Sequence, residues 1–107
     1  MKNSIKKKKI GSKNDTGKVP VTQLLRQFPN AIMAISQVSE YGHKKYGKNE
    51  NKDTWDNWKD GLFRYKQAAG RHFLEPNGSL DPESGFPHIY HTIWNLLACL
   101  EISLTKK

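Results

Sequence analysis

Apolar positions along this chain recur at intervals of three and four residues in three stretches, and no stretch keeps up strand-like alternation. The clearest stretch is Ile89, Ile93, Leu96, Leu97, Leu100 and Leu104, which predicts a helix from about Pro87 to Leu104. A second helix runs from about Asp60, read as its N-cap, to Glu75, where Pro76 stops it. Leu62, Tyr65, Ala69 and Phe73 form its expected buried stripe. The first helix begins near Pro29, a residue suited to an opening turn. Phe28, Ile32, Ile35, Val38 and Tyr46 share its broad apolar face, with Gly42 and Gly47 as candidate stops. Residues 48–57 are too polar to propagate a helix and read as a loop, its far end anchored to the core by Trp55 and Trp58. Residues 76–87 are dense in turn formers. The expectation is an all-α fold, a small bundle of three main helices. Their apolar faces are hard to cover within one copy, so a homo-oligomer is expected.

Size and charge sharpen this picture. A chain of 107 residues holds one core, and 36% apolar content with 10% aromatics argues against wholesale disorder. No apolar run approaches the roughly 18–20 residues of a membrane span, so no membrane partner is expected. Cys99 stands alone, which excludes an internal disulfide framework and any Cys-rich zinc module. The basic N-terminus lacks the apolar segment of a secretory signal, and a cytoplasmic setting follows. The net charge of +8 is uneven. Residues 1–18 carry +6 and form a basic leader, whereas 19–107, the helical domain, carry only +2. The Lys6–Lys9 run is either a solvated tail or an arm that closes on an anion. The helical part lacks the interleaved cations and rings of a DNA binder, so nucleic acid ranks last among partners.

The candidate chemistry is concentrated in three segments. In DPESGFPHIYH (81–91), His88, His91 and Asn95 form a polar line about opposite the leucine stripe, at ~100° per residue. Asp81, Glu83 and Ser84 lie just ahead of it. Imidazole and carboxylate there suit a divalent metal, and the free N–H groups of a helix start suit a phosphate. The simpler alternative is a solvated stripe with an acidic cap. On the second helix, Arg64 and Arg71 lie two turns apart on one side with His72 beside them, an anion clamp. Their bland alternative is an Arg71–Glu75 surface pair. In YGHKKYG (41–47), Lys44, Lys45 and Tyr46 set cations among rings, fit for stacking a base and steadying phosphates, or simply for closing a helix. GSKNDTGK (11–18) misses the phosphate-loop spacing but leaves Lys18 at the tip of a turn.

Taken together, GSKNDTGK, YGHKKYG, the Trp58 region, RYKQAAGRH (64–72) and DPESGFPHIYHTIWNLLACLE (81–101) resemble a phage-associated family, the N-terminal domain of dATP/dGTP diphosphohydrolases. The family is similar in spirit to all-helical pyrophosphohydrolases that cut a triphosphate between its α and β phosphates with Mg²⁺. The resemblance implies a purine deoxynucleotide as ligand, helical oligomers and a place in phage nucleotide pools, hence the host cytoplasm. The Glu-x-x-Glu half of the paired Glu-x-x-Glu and Glu-x-x-Asp metal motifs of those pyrophosphohydrolases does not occur here, so the pair is incomplete.

Two functions follow. In the first, a metal-dependent hydrolase, His72, Asp81, His88 and His91 hold a divalent Mg, Mn or Zn, and Glu83 and His88 serve catalysis. Lys18, Lys44, Lys45, Tyr46, Trp58, Arg64, Arg71 and Asn95 then bind the nucleotide. In the second, the same groups sequester a nucleotide signal of bacterial antiphage defence without cutting it.

Overall fold

The computed structural model describes residues 17–46 and 60–105, and these are helical with no strand among them. Among the described residues there are four helices, α1 (Val21–Gln27), α2 (Pro29–Tyr46), α3 (Gly61–Phe73) and α4 (His88–Thr105). The three main helices fall where the apolar spacing puts them. The short α1 is an addition, and its signal was present in Val21, Leu24, Leu25 and Phe28 at helical spacing. The leader through residue 16, Gly47, the 48–57 loop, Trp55 and Trp58 lie outside the described residues.

Two local expectations need correction. Asp60 does not cap α3 with its side chain; it sits at φ 59° in the left-handed region and makes no capping hydrogen bond. Gly42 is no stop, because α2 runs through it to Tyr46, with His43, Lys44 and Lys45 in its last turn, where cations suit the carbonyl end of the dipole.

α4 is the centre of the fold. α2 runs antiparallel to it, as Ser39 meets Trp94, Tyr41 meets His91 and Lys45 meets Glu83. α3 is antiparallel to it as well, with Gly61 against Ile102, the Leu62 carbonyl by Cys99 and His72 by His88. α2 and α3 do not pack on one another. The helices therefore form a splayed layer, not a closed bundle, and the gap between α2 and α3 is floored by one face of α4.

That floor is polar. His91, Thr92 and Asn95 of α4 are 9%, 4% and 8% exposed, whereas the leucine ridge from Ile89 to Leu104 is 40–63% exposed. The polar line is thus opposite the leucines, as the helical spacing requires, but it is the line that points inward. Among the described residues, buried apolar side chains are few and small: Val38, Ala69, Ala98 and Cys99. Small residues let α3 and α4 approach closely, at the cost of apolar area, since stabilisation scales with area removed from water. Of the expected α3 stripe, Ala69 is buried and Tyr65 half-buried. Leu62 and Phe73 are exposed, since they lie on the flank of α3 that no described element covers.

Candidate functional site

A cleft of about 610 Å³ opens between α2 and α3, within the range that small-molecule sites occupy. Its α3 wall carries Arg64, Tyr65, Ala68, Arg71 and His72, its α2 wall includes Ser39, Tyr41, Lys45 and Tyr46, and His91, Trp94 and Asn95 form the floor. Residues from three separated segments of sequence thus meet around one space.

One end of the cleft is closed by the loop before α4, whose shape is local in origin. The Asp81 carboxylate accepts the Ser84 backbone N–H at 2.8 Å, and the Asp81 N–H donates to the Phe86 carbonyl at 2.7 Å. Gly85 then turns the chain at φ 81°, a conformation that costs a side-chain-bearing residue energy. The loop finishes with Leu80 bridged to Pro87, which delivers His88 to the first turn of α4. DPESGFP is therefore a device for holding Asp81 and Ser84 against the start of α4.

The imidazoles come together there. His72 and His88 bring their Nδ1 atoms within 2.7 Å, so one ring donates to the other. His72 also stacks on His91 with ring centres 4.7 Å apart. Ser84 Oγ lies 2.6 Å from His91 Nε2 and accepts the Phe86 N–H at 3.2 Å. The hydroxyl can donate to a neutral Nε2 or accept from a protonated one, so the contact holds the His91 ring in either tautomer, with the Asp81 carboxylate 3.8 Å from the same nitrogen. Asn95 donates its amide to the His91 carbonyl one turn earlier at 2.7 Å.

Ligand atoms of His72, Asp81 and His88 all lie within 4.8 Å of one another, and among the described residues this is the one such group. His91 is not in that group; its Nε2 contacts Ser84 Oγ and lies 3.8 Å from the Asp81 carboxylate. Burial, followed by the charge of His88, lowers the pKa of His72; burial, followed by the charge of His72, lowers that of His91. For Asp81, burial acts to raise the pKa, but the Ser84 N–H and hydroxyl with the nearby imidazoles outweigh it and hold it low. A neutral His72 beside an ionised Asp81 is the protonation state that a metal requires of these two ligands. Two nitrogens and one oxygen suit Mn, Co or Zn better than Mg, which prefers oxygen alone.

The other expected residues divide. Lys45 enters the cleft and pairs with Glu83, with its ammonium 4.9 Å from the Tyr46 ring centre. That pairing raises its pKa, and burial raises that of Tyr41 against the opposing charge of Lys45. Arg64 and Arg71 both line the α3 wall, and among the described residues no ion pair joins Arg71 to Glu75. Lys44 turns to solvent and pairs with Glu40 at 3.5 Å, so it does not join the cleft. Lys18 is exposed and does not line it either. His88 stands just behind the wall and reaches the cleft through His72. Spacing alone missed the ring pair Tyr65–Trp94, centroids 5.5 Å apart, because its members come from different helices. Ser84, expected just ahead of the polar line, does meet it at His91.

A family model described as dATP/dGTP diphosphohydrolase, N-terminal, matches residues 8–107. The chain belongs to that family. The match takes in every segment that builds the cleft, so the site belongs to the part of the sequence that defines this diphosphohydrolase family. No curated protein and no solved structure matches the chain.

Proposed function

We propose that this family member binds a purine deoxynucleoside triphosphate in the α2–α3 cleft and hydrolyses it to the monophosphate and pyrophosphate. The observation that carries the reading is the convergence of His72, Asp81 and His88 beside a cleft walled by Arg64, Arg71 and Lys45. His72, His88 and Asp81 would hold a divalent ion, which supplies positive charge for phosphate oxygens and lowers the pKa of water. Arg64 and Arg71, two turns apart on α3, bind the non-bridging oxygens, and their planar forks fix the orientation of the chain of phosphates. Lys45 adds a third charge from α2. The rings of Tyr65 and Trp94 supply flat apolar surface for the base.

In the reaction a water oxygen bonds to the α-phosphorus and the bond from that phosphorus to the bridging oxygen breaks, with the electron pair leaving on pyrophosphate. Of the two groups assigned to catalysis, His88 is taken up by the ligand set, which leaves Glu83, paired with Lys45, to accept the water proton. Ser84 and Asn95 keep His91 fixed beside His72.

The test is product analysis of dATP and dGTP incubated with Mn²⁺, Co²⁺, Zn²⁺ or Mg²⁺. Pyrophosphate and monophosphate are expected with the first three, none with a chelator, and a large loss in Asp81→Asn. An inert protein that releases intact nucleotide on denaturation would instead establish the second reading, a non-catalytic nucleotide trap. The absence of an all-carboxylate cluster among the described residues is what favours that alternative.

A further inference from the structure

We infer that the outer face of α4 is the interface of a two-fold symmetric dimer of this chain. Six large apolar side chains stand on that face, 40–63% exposed, and no described element covers them. They present on the order of 500 Å², which is already the scale of the largest apolar patch on a typical monomer. Phe63 and Phe73 of α3 are also 65% and 70% exposed and do not line the cleft, so the ridge is not the whole of the exposed apolar area available toward the ~800 Å² per partner of a stable complex.

The pattern itself identifies a second copy as the occupant. An isologous interface must be complementary to itself. In an antiparallel pair of α4 helices with the axis level with the midpoint of Leu96 and Leu97, Ile89 is level with Leu104 of the other copy. Ile93 is then level with Leu100, and Leu96 with Leu97. Every member of the ridge meets another member, over a seam about 22 Å long at the 1.5 Å helical rise. Glu101 is the one acidic or basic residue between His91 and Thr105, and it lies off the ridge by the ~100° rotation. The chain's own 47–59 segment is a poorer cover, since its large apolar side chains are two tryptophans among charged and amide residues. The few small buried apolar side chains among the described residues point the same way, because small domains with thin cores usually need a further source of burial.

In such a dimer the polar faces of the two α4 helices point away from each other, so each cleft is built by one chain. The inference therefore stands apart from the proposed chemistry, and nucleotide turnover can fail without affecting it. The test uses the full chain in sedimentation and light scattering over a range of concentrations, where a mass about twice 12.3 kDa is expected. Leu100→Glu should shift the species to monomer mass while keeping its helical circular dichroism. Should that variant fail to fold, a Cys99→Ser background carrying Leu97→Cys supplies the second readout. Its new thiols lie beside the axis and should form a disulfide-linked dimer on mild oxidation, whereas Gln37→Cys on α2 should not. A monomer at every concentration, or equal cross-linking from both cysteine positions, overturns the interface.

Discussion

The two faces of α4 reverse the usual arrangement of a small helical protein. The face toward the rest of the chain carries His91, Thr92 and Asn95 among small apolar residues, and the face away from it carries isoleucines and leucines. Buried polar groups cost free energy unless they are hydrogen-bonded, and here each has a partner: Ser84 for His91, the His88 carbonyl for Thr92 and the His91 carbonyl for Asn95. No buried polar side-chain atom among the described residues is left without one. The inner face is thus committed to a site, and the outer face holds the apolar area that a core would ordinarily use. One helix serves two purposes because its two faces answer to different neighbours.

Changes that strike the inner face should be the most damaging to function. Asp81→Asn removes the single carboxylate of the proposed ligand set, and activity with Mn²⁺ should fall by about 100-fold or more, since even supporting partners of a metal site are worth ~10–100-fold. Steady-state kinetics with metal titration reads this out.

Next in size is a contrast in stability between the faces. Ala98 is 4% exposed where α4 is most tightly packed, so Ala98→Leu should cost about 1–3 kcal/mol by overpacking. Leu97→Ala on the ridge should change the stability of an isolated monomer by less than about 0.5 kcal/mol. Under dimer-forming conditions its urea midpoint should instead drop with dilution. Equal effects at both positions would dissolve the distinction between the faces.

Acid should weaken the inner face of the metal-free protein. His72 and His91 are held below the ordinary imidazole range, so the unfolded chain takes up protons first. Their contribution is complete above about pH 6.5, the unperturbed His value, and is lost as the pH falls through the lower folded values. Urea midpoints at pH 7.5 should exceed those at pH 5.5, and His91→Gln should flatten the difference. The smallest effects belong to adjacent lysines of α2. Lys45→Ala should raise KM for the nucleotide severalfold, while Lys44→Ala, which removes an exposed i,i+4 pair with Glu40, should cost about 0.3–0.5 kcal/mol of stability or less and leave KM unchanged.

Much of the site was legible as segments. DPESGFPHIYH announced a turn that delivers histidines to a helix start, and RYKQAAGRH placed two arginines on one side with His72 at its border. Those relations follow from the ~100° helical rotation and turn chemistry, which act over a few residues. Lys44 and Lys45 show where such reading stops, because adjacent lysines diverge by that rotation and only the position of Glu83 and the cleft decides which one enters. Trp94 and Tyr65 show the same limit, since no local rule relates rings on different helices.

By itself the amino-acid sequence determined the three main helices, the basic leader's charge, the opposition of histidine and leucine lines on α4, and membership of the diphosphohydrolase family. Periodicity specifies which residues share a face and is silent on which face turns inward. Only the tertiary arrangement decided that, by bringing α2 and α3 against the histidine side of α4. The reason is energetic as well as geometric: Ala69, Ala98 and Cys99 allow close packing there, and Ser84 and Asp81 supply the hydrogen bonds that make a polar interior tolerable.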